Sequence, residues 1–113
     1  MSAAGADAPM PIRAEDVVAT VRAAKDGSVV PVLDGGGAPL PLAMALAAIG
    51  PLAVERAPAT RVNAVVAEPG ASLADVAAAV AFLHAARSTT GQVLRVDQPR
   101  VRPHGPSCSS TKP

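Results

Sequence analysis

At 113 residues the chain has room for one domain with a single core. Half of its residues are apolar, yet Phe82 is the one aromatic residue and the net charge is +1. Such a balance supplies neither the basic field nor the stacking rings that nucleic acid requires, and no polybasic patch for anionic lipid. No nucleic-acid or membrane partner is therefore expected.

Alanine makes up much of the apolar half, so each buried side chain removes little area from water and partner subunits would make up the deficit. Cys108 stands alone, which rules out an internal disulfide and fits a cytoplasmic protein. His104 is its nearest metal-ligating neighbour in the sequence, too little for a site, so no metal is expected. The first residues lack a basic run followed by an apolar one, so no signal peptide is expected.

In chain order, residues 1–11 read as a disordered arm rich in small residues. From Ala14 the pattern turns helical, with Val17, Val18, Val21 and Ala24 at three- and four-residue spacing. Glu15 and Asp16 favour its first turn, and Gly27 stops it. Residues 28–33, SVVPVL, read as a strand in which Pro31 withholds one ladder donor and predicts an edge or an irregularity. Asp34 and three glycines then make a turn, in which a phosphate cradle is not expected because dinucleotide spacing and a P-loop Lys are both missing.

Residues 40–56 read as an apolar helix, tolerant of Pro39 and Pro41 at its start and kinked or split near residues 47–50 by Pro51. Residues 35–54 carry no charge. Twenty uncharged residues raise the question of a membrane span, but Pro39, Pro41, Gly50 and Pro51 and many alanines give weak insertion energy. The expectation is a helix without a solvent face, buried between a sheet and a second subunit.

Residues 61–67 suit a strand covered on both faces. Ser72 and Asp75 match a capping box before a helix running to about Arg87, with Val76, Val80 and Leu83 on one side. Thr90-Gly91 turns into a last strand at residues 92–96, and residues 98–113 read as a disordered Pro/Ser-rich tail. His84 lacks a nearby carboxylate and reads as a surface or partly buried helix residue.

Alternating helices and strands with right-handed crossovers give an α/β fold over residues 12–97: about three parallel strands with flanking helices, a partial Rossmann-like three-layer arrangement. The words RVNAV, PG and TGQVLRVD across residues 61–97 resemble the closing part of the short-chain dehydrogenase/reductase family. LAVERAPATRVNAV, at residues 52–65, extends the likeness, and residues 28–51 follow it more loosely.

The resemblance implies a truncated Rossmann domain of that family and an NAD(P)-linked carbonyl chemistry run by a Tyr, a Lys and a Ser. Counting back from Arg61 puts Ala38 where that Tyr would stand, Leu42 where the Lys would stand and Asp34 where the Ser would follow its strand. The chain contains no Tyr at all. Catalytic residues are therefore expected to be absent, with Pro69 and Gly70 as the sole remnant of a cofactor site and no cofactor expected.

The resemblance further implies that the helix over residues 40–56 packs against another subunit. Leu40, Leu42, Leu46 and Ile49 are the expected contacts with a second copy or another short-chain dehydrogenase. The expected role is non-catalytic, through self-association or docking to a fuller dehydrogenase. The alternative is an NAD(P)-dependent oxidoreductase completed by a partner chain.

Overall fold

The structure is a computed structural model, and it describes residues 10–98. Readings placed on residues 1–9 and 99–113, including Cys108 and His104, lie outside the described residues. The chain enters at Ile12, whose amide donates to the Val32 carbonyl at 2.8 Å and forms a single parallel bridge to Leu33. A 3-10 turn over Ala14–Asp16 leads into α1, Val17–Ala23. Strands β1 (Ser28–Val29) and β2 (Val32–Asp34) follow, then α2 (Pro39–Arg56). Strands β3 (Arg61–Val62) and β4 (Ala64–Ala67), helix α3 (Leu73–Ala85) and strand β5 (Val93–Val96) complete the order.

β2, β4 and β5 form a parallel sheet in that order, and β1 pairs with β3. The offset between partners is the same in both pairs, Ser28 opposite Arg61 and Val32 opposite Val65. One interrupted strand therefore runs from Ser28 to Asp34 beside another from Arg61 to Ala67. The interruption falls at Pro31, the expected irregularity. Its carbonyl still accepts from the Val65 amide at 3.0 Å, but in this register the donor owed to the Asn63 carbonyl would be the Pro31 nitrogen, which has no hydrogen. Asp34, placed in the turn by the sequence, is the last residue of β2.

Alternate strand residues point to opposite faces and build two cores. Leu33, Val62 and Ala64 pack with Val17 and Val21 of α1 and with Ile49 and Leu52 of α2. Val32 and Val65 pack with Val76 and Leu83 of α3 on the other face. The result is a partial Rossmann-like α/β fold with helices on both sides of the sheet.

α3 starts as the sequence predicts, the Ser72 hydroxyl accepting from the Asp75 amide at 3.0 Å, and it ends at Ala85, two residues before the expected stop. α2 departs more. It is one uninterrupted helix of 18 residues through Pro51. Pro51 and Ala47, whose carbonyl loses its amide partner to the ring, both lie on the exposed side, where water can take the lost bond.

Nor does α2 lack a solvent face. Ala45, Ile49, Leu52 and Ala53 are buried, while Leu40, Met44 and Val54 are 69%, 64% and 78% exposed. By length and composition α2 could cross a membrane, yet here one side of it forms part of the core. Two arginines anchor it. Arg56 donates to the Ala24 carbonyl at 2.6 Å, and Arg22 of α1 grips Glu55 with two bonds of 2.8 Å. The Arg22 hydrogen bond holds the Glu55 carboxyl below its ordinary range.

Candidate functional site

In open parallel sheets, ligands sit at the carboxyl ends of the strands. The cleft at that end has a volume of about 330 Å³ and is walled by Ile12, Arg13, Leu33, Asp34, Ala38 and Leu42. Three sequence-predicted positions thus come together: Asp34 ends β2, Ala38 caps α2 and Leu42 lies one turn inside it. Their convergence follows from local rules. Asp34 closes a strand, the glycine turn reverses the chain, and proline at the first helical position starts α2 without needing an amide partner.

Chemically the cleft offers little. Ala38 and Leu42 carry no polar atom. The Asp34 carboxylate accepts the Gly36 amide at 2.9 Å, an ordinary turn contact. Arg13 is engaged with Glu15 at 2.6 Å. Glu15 titrates below its usual range, first through a hydrogen bond from its own backbone and then through Arg13. The charged side chains of the cleft wall, Arg13, Glu15 and Asp34, are thus engaged with one another or with the turn backbone.

The glycine turn beside the cleft has spent its amides. Gly35 donates to the Ala67 carbonyl at 2.8 Å, Gly36 to Asp34, and Gly37 to the Asp34 carbonyl at 3.2 Å. A phosphate would find none of these donors free. Over Gly35 lies the Glu68 side chain, itself paired with Arg95 at 2.7 Å.

Pro69 and Gly70 do not line the cleft. They occupy the middle of a turn closed by the Ala71 amide on the Glu68 carbonyl at 3.0 Å, with Gly70 at φ +87° where a side chain would be strained. A Cβ on Gly70 would also run into Gln98. The pair therefore has a complete structural role.

The four residues expected to meet a partner separate. Ile49 is buried at 1% exposure inside the core and cannot reach another chain, a correction to the sequence reading. Leu42 and Leu46 are half-buried and pack on the same core, so Leu40 alone of the four is freely exposed. Met44 and Val54 are also exposed on α2, and the run of uncharged sequence could not sort them from the buried set.

The sequence reading also missed what the polar residues of RVNAV do. Asn63, fully buried, donates to the Thr89 carbonyl at 3.0 Å and accepts from the Gln92 amide at 3.0 Å. Arg61 caps α3, donating to the carbonyls of Leu83, His84 and Ala86 at 3.2, 2.9 and 2.7 Å. His84 is exposed, and its Nδ1 lies 2.8 Å from the Ser28 hydroxyl. Among the described residues no carboxylate turns that ring, and no three His, Cys, Asp or Glu groups gather as a metal site would require.

A partial Rossmann-like sheet, with its carboxyl-end cleft framed by the strand-to-α2 turn, defines the chain as an α/β protein of Rossmann-like architecture. The sequence matches the family described as SDR-like, short chain dehydrogenase-like protein, over residues 3–96, and the chain belongs to that family. No curated protein and no solved structure matches it significantly.

Proposed function

We propose that this chain is a non-catalytic member of its family that works by protein–protein assembly, with itself or with a fuller dehydrogenase, in the cytoplasm. One observation carries the reading. The positions where the family would place its proton-transfer groups do converge on one cleft, and they hold Asp34, Ala38 and Leu42. The Asp34 side chain accepts from the Gly36 amide, where the family would need a donor to the oxyanion that forms on carbonyl reduction.

NAD(P) does not fit the residues present. The glycine amides that might face a pyrophosphate are bonded to Ala67 and Asp34, and Gly70 is packed against Gln98. The exposed apolar side of α2 supports the assembly half of the proposal, because contiguous apolar surface of this kind marks an interaction site.

The test is a melting experiment with NADH and NADPH. The expected result is no saturable rise in melting temperature up to millimolar coenzyme. A saturable rise, or coenzyme-dependent carbonyl reduction by the purified chain, would overturn the reading in favour of an NAD(P)-dependent oxidoreductase.

A further inference from the structure

We propose that the pocket between the end of α3 and the start of β5 binds a neutral polyhydroxylated ring of pyranose size. It shares no residue with the cleft or with α2, so the inference goes beyond the assembly reading and stands or falls separately. The pocket holds about 340 Å³, inside the span of about 300 to 1,000 Å³ that small-molecule sites occupy. Phe82 and Leu94 give it an apolar side, and Ser88, Thr89, Thr90 and Gln92 give it a polar one.

Both sides are held from behind by the two polar residues of RVNAV. Arg61 ties down the end of α3 through the carbonyls of Leu83, His84 and Ala86, directly after Phe82 in the chain. Asn63, fully buried, fixes the turn at two points, the Thr89 carbonyl and the Gln92 amide. The Thr90 hydroxyl accepts from the Val62 amide at 3.0 Å and is spent on the sheet. Thr89 and Gln92 are held through their backbones alone, so their side chains, and that of Ser88, have no hydrogen-bond partner among the described residues. Walls positioned by buried groups need little further ordering when a ligand arrives.

The lining selects the chemistry of the ligand. Among the described residues no charged side chain lines the pocket, so a phosphate or a carboxylate would find no counter-ion there. Hydroxyls and a carboxamide both donate and accept, and a rim of sugar hydroxyls can pair with them in either direction. Phe82 is the one aromatic residue of the chain and is 61% exposed. The face of its ring carries the negative part of the quadrupole, which favours the C–H groups on the flat side of a pyranose. A nucleobase could stack on the same ring, yet it has few groups to meet three side chains that both donate and accept.

The test follows the backbone amide resonances of the isotope-labelled full chain during titration with methyl α-glucopyranoside, methyl β-galactopyranoside and methyl α-mannopyranoside. At least one should produce saturable shifts centred on residues 82–94, with a Kd of about 1 mM, as an open pocket with three free polar side chains allows. Phe82→Ala and Gln92→Ala should each weaken binding about tenfold. Both side chains are exposed, so circular dichroism should stay unchanged. Phe82→Tyr keeps the ring and should bind as the parent chain does. Leu73→Ala, at the other end of α3, should leave binding as it was.

No saturable shift with any of the three sugars overturns the proposal. So do shifts centred outside residues 82–94, or binding that is indifferent to Phe82→Ala. Adenosine that displaces the sugar and binds more tightly at the same amides would overturn it as well, in favour of a nucleobase.

Discussion

Asn63 shows how a short motif can be conspicuous in a sequence while its purpose stays hidden there. It sits where the inner ladder lacks the Pro31 amide, and its side chain stitches the strand to the turn that starts β5. Asn63→Ala leaves the Thr89 carbonyl and the Gln92 amide without their partner and empties a fully buried site at the half-buried turn. Loss of about 2–3 kcal/mol is expected, read as a lower urea midpoint with unchanged slope. Asn63→Asp should cost more, because a carboxylate oxygen would then face the Thr89 carbonyl. Sequence patterning marks apolar residues by their period, but a buried amide with two backbone partners has no period. That is why Val62, Ala64 and Val65 were legible and Asn63 and Arg61 were not.

At the scale of elements, starts and stops were legible where a single residue enforces them. Ser72 caps α3, proline opens α2 and Gly91 turns at φ +80° into β5. Pro51 obeyed a different balance from the expected break, since its helix is held at both ends of the interruption by core contacts from Ala45 to Ala53. Pro51→Ala returns an amide to the Ala47 carbonyl and removes the ring from it. The loss of proline's restriction on the unfolded chain offsets part of that gain. A net stabilisation of about 2 kcal/mol is expected, visible as a rise in melting temperature. Which side of α2 faces water was not legible, because twenty consecutive uncharged residues leave no polar stripe to orient the helix.

Across the whole molecule, the parallel order of strands and the two-sided core follow from alternating elements and right-handed crossovers, and both were legible. The cleft was legible as a set of positions and not as a shape, since Ile12 and Arg13 reach it through one bridge that carries no pattern in sequence. Restoring the three family groups tests whether side chains alone are what this scaffold lacks. Asp34→Ser, Ala38→Tyr and Leu42→Lys together place a hydroxyl, a phenol and an ammonium around the same 330 Å³ cleft. The Tyr at the cap of α2 and the Lys in its first turn would stand four residues apart, close enough for the cation to lower the phenol's pKa. Hydride transfer would still need a dinucleotide held with its pyrophosphate on free backbone amides, and those of Gly35 and Gly37 stay bonded to the Ala67 and Asp34 carbonyls, which the substitutions do not touch. The triple variant should therefore show a lowered tyrosine titration by ultraviolet absorbance and no NADPH oxidation with carbonyl compounds. Turnover in that variant would mean that the scaffold seats a coenzyme after all and that only its side chains had been lost.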